Sequence, residues 1–187
     1  MRPLPTLTTA RLLLRPLTPE DAPEVQRLAG AREVAATTLN IPHPYPDGAA
    51  ESWIARQAQA WSEGKEAGLA IVERATRAFA GGIGLHRAPH HQRAELGYWI
   101  AVPYWNRGYC TEAVAEMIRY GFEELGLHRI HASHFGNNPA SGRVMVKIGM
   151  RHEGRRREHI HKWDQFLDLE EYAILAEEWR ASRSARS

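Results

Sequence analysis

The 187-residue chain has one cysteine, no long apolar run and no block of like charge. The lone Cys110 excludes an internal disulfide and is compatible with a reducing compartment. No apolar stretch approaches the roughly 20 residues that a membrane-spanning helix needs. The first residues, Met-Arg-Pro-Leu-Pro, lack the apolar core of a signal peptide. We therefore expect a cytoplasmic protein with no membrane partner.

The charges are nearly balanced, with 24 basic and 22 acidic residues and a formal net charge of +2. The run Arg155–Arg157 is short, and its ordinary interpretation is a solvated turn or strand edge. We expect no nucleic-acid partner from such a chain. His131 and His134 stand three apart in a predicted strand, which places them on opposite faces, so we expect no metal site.

The chain also lacks the two common phosphate-loop patterns, G-x-x-x-x-G-K-S/T and G-x-G-x-x-G, which weakens a nucleotide-binding interpretation. It does contain a strand, a compact turn and a helix in succession. The apolar run Leu96–Val102 predicts the strand, Pro103 ends it, and a helical pattern begins at Gly108. Such a turn presents backbone N–H groups at a helix N-terminus, which favours an anionic phosphate. We therefore predict a phosphorylated cofactor.

The length fits one domain over residues 1–187. We predict an ordered core at about residues 7–179 and a flexible, Arg/Ser-rich tail at 180–187. Hydrophobic periodicity predicts elements in the order β-α-α-β-β-β-α-β-α-β-β. This order describes one mixed α/β (α+β) domain, with a central sheet of about seven strands and helices on both faces.

Two helix starts have clear capping patterns. Thr18 is a good N-cap, and Pro19 suits the first helical position. Asn138 and Pro139 repeat this pattern ahead of a helix that Gly149 ends. Both helices should therefore begin where these caps stand.

Several segments together resemble the GCN5-related N-acetyltransferase (GNAT) superfamily, and within it the branch of ribosomal-protein N-terminal acetyltransferases, the Rim type. The superfamily's cofactor loop is commonly written Q/R-x-x-G-x-G/A. Trp105 holds its first place, Gly108 its glycine and Cys110 its last place. The resemblance extends over about residues 7–179 and includes Thr9–Arg15, Ile41–Tyr45, Trp53-Ile54, Glu95–Ile100, Tyr104–Ala113, Asn138–Ser141, Lys147–Met150, Glu153-Gly154 and Asp168.

The resemblance implies acetyl-coenzyme A (acetyl-CoA) as cosubstrate, with no metal. Cys110 replaces the usual alanine or glycine, and we expect its larger thiol to fit at some loss of affinity. The implied cofactor-binding residues are Asn106, Arg107, Gly108, Tyr109, Cys110 and Thr111 for the pyrophosphate, Ile100, Ala101 and Val102 for the pantetheine arm, and Asn138 for a further bond to that arm.

Acetyl transfer to an amine requires a neutral nitrogen and a proton for the leaving thiolate. An α-amine, with a pKa near ~8, demands less of a base than a lysine near ~10.4. Glu95, at the start of the strand before the turn, is our candidate base, acting directly or through water. The alternative is a solvated glutamate that pairs with an arginine such as Arg93. His134 is a reserve base.

Ser141 is the candidate proton donor to the thiolate, because the resemblance places it near the thioester sulfur. Many relatives use a tyrosine slightly further along, but Val144–Ile148 contains none. The alternative is a first-turn serine that satisfies an orphan backbone donor.

We therefore predict an acetyl-CoA-dependent N-acetyltransferase whose acceptor is a protein or peptide N-terminal α-amine. A small-amine or antibiotic acetyltransferase is one alternative, and a non-catalytic acyl-CoA sensor is another. The proline-rich loop Thr37–Asp47 and the final hairpin should flank the acceptor, with Tyr45, Trp53 and Trp163 as candidate walls. The resemblance also implies that a homodimer can form through the C-terminal strands.

Overall fold

The computed structural model describes residues 3–184. Eight strands form one sheet in the order β1-β2-β3-β4-β5-β6-β8-β7. The strands are β1 (Leu7–Thr8), β2 (Leu12–Arg15), β3 (Glu66–Glu73), β4 (Phe79–Ala88), β5 (Arg93–Ile100), β6 (Arg129–Phe135), β7 (Arg151–Lys162) and β8 (Gln165–Leu175). The helices are α1 (Ala22–Ala29), α2 (Arg32–Ala36), α3 (Ala49–Ser62), α4 (Tyr109–Glu123), α5 (Pro139–Lys147) and α6 (Ala176–Ser184).

Helices cover both faces of this sheet, as predicted. Side chains alternate along β2, so Leu12 and Leu14 join the core beneath α4, whereas Leu13 joins the core beneath α1 and α3. We call these two sides the α4 face and the α3 face. The division matters because it places different residues of one strand in different chemical surroundings.

One parallel pair interrupts an otherwise antiparallel sheet. β5 pairs with β6 only from Arg93 to Glu95, opposite Arg129 to His131. Beyond these residues the two strands no longer pair with each other, although β5 stays paired with β4 to Ile100 and β6 with β8 to Phe135. We call the wedge-shaped opening between them the gap. It closes at Glu95 and His131 and opens toward the carboxyl ends of both strands.

The predicted helix at Thr18 begins as a short 3₁₀ turn, Pro19–Asp21, before α1. The buried Asp21 carboxylate accepts from the Thr18 N–H at 2.8 Å and makes two 2.7 Å bonds with the Arg15 guanidinium. Burial raises the pKa of Asp21, but these bonds outweigh it and hold the pKa below its usual value. The ion pair thus fixes the start of α1 to β2.

The structure has three elements beyond the predicted order, namely β1, α2 and α6. The first two span two and five residues, too few to show periodicity. In α6, Trp179 packs on Phe122 at 5.5 Å between ring centroids, which anchors a segment whose composition suggests a frayed end. Residues 180–184 of the predicted tail therefore lie in α6. Residues 185–187 lie outside the described part of the chain.

Candidate active site

The turn between β5 and α4 leaves a series of amide groups unused. Val102–Tyr104 forms a 3₁₀ turn, after which Asn106 and Gly108 adopt positive φ angles of 61° and 77°. Glycine adopts such an angle without the steric cost that a side chain adds. Within residues 3–184, the N–H groups from Asn106 to Thr111 have no hydrogen-bond acceptor, and the helix ladder begins with Glu112 N–H donating to Gly108 C=O at 3.1 Å. The turn therefore has the free backbone amides that the predicted phosphate cradle requires, and we call Asn106–Thr111 the cradle.

A carboxylate holds this turn in place. Glu112 accepts from the Thr9 hydroxyl at 2.6 Å, from the Arg11 N–H at 2.8 Å and from Arg11 Nε at 2.7 Å. Arg11 Nη1 in addition donates to the Arg107 carbonyl at 2.8 Å. Burial raises the pKa of Glu112, but the bonds from Thr9 and Arg11 outweigh it and lower the pKa overall. The segment before β2 thus fixes the start of α4.

Few backbone N–H and C=O groups on the edge of β5 that faces the gap are available to a ligand. Ala101 N–H donates to Ala80 C=O at 2.8 Å, so it points toward β4 and away from the gap. Given the register of β4 and β5, the alternate residues Tyr98 and Ile100 direct their polar groups toward the gap. Ile100 C=O already accepts from Trp105 Nε1 at 2.7 Å. Of the predicted Ile100–Val102 segment, Ala101 therefore offers no N–H to a ligand, whereas Ile100 does.

The structure places the Cys110 side chain elsewhere than expected. Its thiol packs against the core on the α4 face, near Tyr98, rather than into the cradle. Burial raises the pKa of this thiol to about 12, so it stays protonated and unreactive at neutral pH. Only the Cys110 N–H belongs to the cradle. The size of the side chain at position 110 is limited by the core residues around it and not by a bound phosphate.

The first turn of α5 bridges the gap on the α4 face. Asn138 caps the helix, and its side chain accepts from Ser141 N–H at 3.4 Å. Ser141 Oγ lies 2.7 Å from the Tyr98 hydroxyl on β5. On the other side, His134 Nε2 of β6 would lie 2.6 Å from a Cβ at Gly142, so only glycine allows this approach. Ser141 thus faces the gap with a second hydroxyl beside it.

The Tyr98 hydroxyl is a site feature that the sequence did not reveal. It belongs to a residue 43 positions from Ser141 in the chain. Burial raises the pKa of Tyr98, so this group remains a neutral hydroxyl. His134, the reserve base, is 8 % exposed, and its Nδ1 lies 2.8 Å from the Phe135 carbonyl.

Glu95 lies on the opposite face of β5 from Tyr98, because side chains alternate along a strand. It is exposed, and it stands at the closed end of the gap, paired in register with His131. Burial lowers the pKa of His131, while the nearby Glu95 carboxylate acts in the opposite direction. Among residues 3–184, Glu95 has no ion-pair partner, Arg93 included. The two candidate catalytic residues therefore flank the gap from opposite faces without touching.

A groove of about 380 Å³ lies on the α3 face at the open end of the gap. Trp163 stands at the tip of the β7–β8 hairpin, where Trp163 and Asp164 adopt positive φ angles of 49° and 61°, typical of a two-residue turn. Its ring lies 6.0 Å from that of His43 in the predicted loop. The groove is lined by Arg32, Glu33, Ala36, Asn137, Lys162, Trp163, Gln165 and Leu167.

Trp163 lines the groove, whereas Tyr45 and Trp53 are not among the lining residues. Both pack against the core under α1 and α3 instead. Tyr45 faces inward because the proline-rich loop wraps against α1, where Gln26 Nε2 donates to the Tyr45 carbonyl at 3.2 Å.

Within residues 3–184, no group of three or more histidine, cysteine, aspartate or glutamate residues is arranged to hold a metal ion. No helix in this part of the chain combines the length and apolarity that crossing a membrane would take.

Comparison with known proteins gives a consistent result. Residues 11–151 match the family described as acetyltransferase (GNAT) domain. The uncharacterized N-acetyltransferase YoaA of Bacillus subtilis is 33% identical over 181 residues, covering 91% of this chain and 97% of YoaA.

The solved structure of RimL, a ribosomal L7/L12 α-N-protein acetyltransferase in complex with coenzyme A, superposes with a TM-score of 0.84 at 15% identity, covering 91% and 98% of the two chains. The spermidine N-acetyltransferase of Vibrio cholerae, in complex with CoA and spermine, gives 0.80 at 20%, covering 92% and 99%. The last two likenesses concern the fold alone.

Proposed function

Because this chain belongs to the GNAT acetyltransferase family and is an N-acetyltransferase, we propose that it acetylates the N-terminal α-amine of a protein or peptide. The GNAT family uses acetyl-CoA, and its acceptors are amines. The groove on the α3 face selects which amine this chain acetylates. The acceptor class, the site residues and their roles below are parts of the proposal.

The backbone of the turn supports binding of the cosubstrate. Six successive N–H groups, from Asn106 to Thr111, are free to bind a pyrophosphate, and the N-terminal end of the α4 dipole favours its negative charge. Ile100 N–H at the edge of β5 is available to the pantetheine arm, and Asn138 stands across the gap. Bound acetyl-CoA supplies the acetyl group as a thioester, and the chain's residues position it and move the protons.

The groove carries the choice of acceptor. Lys162 Nζ donates to the Thr38 and Leu39 carbonyls at 2.5 and 3.4 Å, and burial lowers its pKa. Both the Lys162 ammonium and the Arg32 guanidinium lie over the Trp163 ring, at 5.3 and 5.5 Å from its centre. Among residues 3–184 neither cation has a carboxylate partner.

Two unpaired cations around an aromatic wall disfavour a polycation such as a polyamine and favour a chain with negative charge near its amine. Glu33 is the only acidic residue that lines the groove in the described part of the chain. A peptide whose residues after the N-terminus are acidic therefore matches the groove best.

In the proposed reaction, Glu95 accepts a proton from the amine at the closed end of the gap. Ser141, on the other face, donates a hydrogen bond or a proton toward the departing sulfur. Tyr98 can donate to Ser141 Oγ, which leaves the serine proton free to point into the gap. The two faces of the sheet thus divide the work of proton removal and proton supply.

An acceptor panel tests this proposal. Thiol release from acetyl-CoA is measured with hexapeptides carrying acidic, neutral or basic residues at positions two and three, and with spermidine and an aminoglycoside. We expect the acidic peptide to give the highest kcat/KM. A preference for spermidine or the aminoglycoside would replace the peptide acceptor with a small amine. Calorimetric binding of coenzyme A without thiol release for any amine would instead indicate a sensor.

A further inference from the structure

Four titratable side chains form a row across the α3 face at the closed end of the gap. In register, Glu66 of β3 pairs with His86 of β4, His86 pairs with Glu95, and Glu95 pairs with His131. Side chains paired in this way share a face, with Cβ atoms about 5 Å apart. The row therefore alternates carboxylate and imidazole and leads from β3 to the edge of the gap.

The His86 ring lies between Glu66 and β5. Nδ1 lies 3.5 Å from Glu66 Oε2, within ion-pair distance. On the other side, Nε2 would lie 3.6 Å from a Cβ at Gly97. Gly97 stands two residues beyond the last β5–β6 pair. The Nε2 edge of the ring therefore lies over β5, the strand that borders the gap.

Glu66 is itself held by buried groups. With its amide oriented to satisfy both neighbours, Gln57 of α3 donates to Glu66 Oε1 at 3.2 Å and accepts from Trp53 Nε1 at 3.1 Å. Gln57 is 5 % exposed, and the Glu66 side chain is 18 % exposed. A carboxylate fixed at Nδ1 favours the proton on that nitrogen and leaves the lone pair on Nε2.

We propose that His86, held by Glu66, is a second proton acceptor for the amine and works beside Glu95. This rests on the proposed function. An imidazole, with an ordinary pKa near ~6.5, matches an α-ammonium near ~8 better than a carboxyl near ~4.3 does. A general base is most effective when its pKa lies near the working pH.

The protons balance as follows. The ammonium nitrogen gives one proton to His86 Nε2 and keeps the electron pair, with which it forms the new C–N bond. The C–S bond of the thioester breaks, and the sulfur gains one proton from the Ser141 side. The nitrogen loses its second proton to Glu95. The nitrogen thus loses two protons, and the sulfur gains one, so one proton is released overall. It leaves to water from the exposed edge of the His86 ring, whose side chain is 55 % exposed.

The charges that face His86 are few. Glu66 comes from β3, Glu95 and Arg93 come from β5, and His131 lies one strand further in the row. From α3, Gln57 brings an uncharged amide to Glu66. Among the described residues, Glu66 is thus the carboxylate within ion-pair distance of the His86 ring.

The kinetic test is the pH profile of kcat/KM between pH 5.5 and 9.5, with saturating acetyl-CoA and the best peptide of the panel. We expect His86→Gln to lower kcat/KM about 10-fold or more below pH 7 and to recover toward pH 9, where the amine arrives deprotonated. Glu66→Gln should lower kcat/KM below pH 7 by a smaller factor than His86→Gln, because the ring keeps its nitrogen but loses the group that orients it. His91→Gln, at an exposed position in the next turn, should match wild type. A His86→Gln profile that superimposes on wild type would overturn the proposal.

Nitrogen-15 NMR of the histidine rings with coenzyme A present gives a readout independent of turnover. The His86 ring should carry its proton on Nδ1 in the wild type and show a more even tautomer mixture in Glu66→Gln, and an unchanged tautomer would refute the positioning by Glu66. The same spectra show whether each variant is folded. The two proposals fail differently: a wild-type enzyme inactive toward every amine contradicts the proposed function, whereas an active enzyme indifferent to His86 contradicts this inference alone.

Discussion

The two faces of the gap are built from different parts of the chain. On the α4 face, the groups that would hold the cosubstrate are backbone amides of one continuous turn, Asn106–Thr111. On the α3 face, the groups that would meet the acceptor are side chains from α2, β4, β5 and the β7–β8 hairpin. A backbone site tolerates many side chains but depends on local geometry, whereas a side-chain site can change its ligand by single substitutions. The family can therefore keep one cosubstrate while its members differ in acceptor.

The largest expected effect is on the α3 face, at Glu95. Glu95→Gln should lower turnover at neutral pH about 100-fold, and turnover should recover at high pH, where hydroxide can take the proton that Glu95 accepts from the nitrogen. Coenzyme A affinity should stay unchanged, because Glu95 lies on the opposite face from the α4 helix. Thiol release across pH measures this, with the exposed Glu177→Gln as control. An unaltered pH–rate profile would remove Glu95 from its role.

Ser141 tests the α4 face in the same way. Ser141→Ala should lower turnover about 10-fold, since the departing sulfur loses its hydroxyl partner, and should leave coenzyme A affinity nearly intact. Stopped thiol-release assays together with calorimetry separate the two quantities, and Ser182→Ala, an exposed serine, is the control. Wild-type turnover would return Ser141 to a purely structural part in α5.

The acceptor wall should respond separately from the cosubstrate. Trp163→Ala should raise the KM for the acidic peptide about 10-fold, as expected when a contact aromatic is removed, without changing the KM for acetyl-CoA. Phe166→Ala is a matched control, because Phe166 is 65% exposed on the same hairpin and does not line the groove. A rise in the acetyl-CoA KM instead would mean that the two faces are not independent.

A smaller effect is expected at the backbone of the cradle. Gly108→Ala places a side chain at φ 77°, which costs about 1–2 kcal/mol, and should weaken coenzyme A binding several-fold by relaxing the turn. Gly126→Ala has the same strain, at φ 65°, with no atom within 4 Å of the added Cβ. It should lose similar stability but no affinity. Equal affinities of the two variants, measured by calorimetry, would speak against the cradle.

The smallest expected effect is the acid sensitivity of Glu112. Its folded pKa is lowered, so its stabilising contribution is complete above the unfolded value near ~4.3 and is lost as the pH falls through the folded value. We expect Glu112→Gln to lose at most about 1 kcal/mol near pH 7, because Arg11 is half exposed and solvent screens the pair. Thermal melts from pH 3 to 7 should show the two proteins converging at low pH. A constant difference would mean that the carboxylate charge plays no part.

The sequence predicted features that consecutive residues form. It did not predict contacts between residues that are far apart in the chain. Gly108 and the helix after it are visible in consecutive residues, and so are the caps at Thr18 and Asn138. The Tyr98–Ser141 contact joins residues 43 positions apart.

The pairing of Glu66 with His86 and Glu95 requires the register of three strands, which no local pattern specifies. The place of Cys110 in the turn could be read from the sequence, but the direction of its side chain depends on how α4 packs. Local backbone geometry was therefore predictable, whereas contacts between distant side chains were not.

The short pairing of β5 with β6 has a mechanical consequence. Three residue pairs join the two halves of the sheet, whereas the open end lies five residues further along β5, or about 17 Å at 3.3 Å per residue. A rotation of about 5° around this seam would therefore change the width of the open end by roughly 1.5 Å at that distance, while atoms near Glu95 barely move. A hinge at this seam would let the entrance adjust to ligands while the atoms around Glu95, the proposed base, keep their positions.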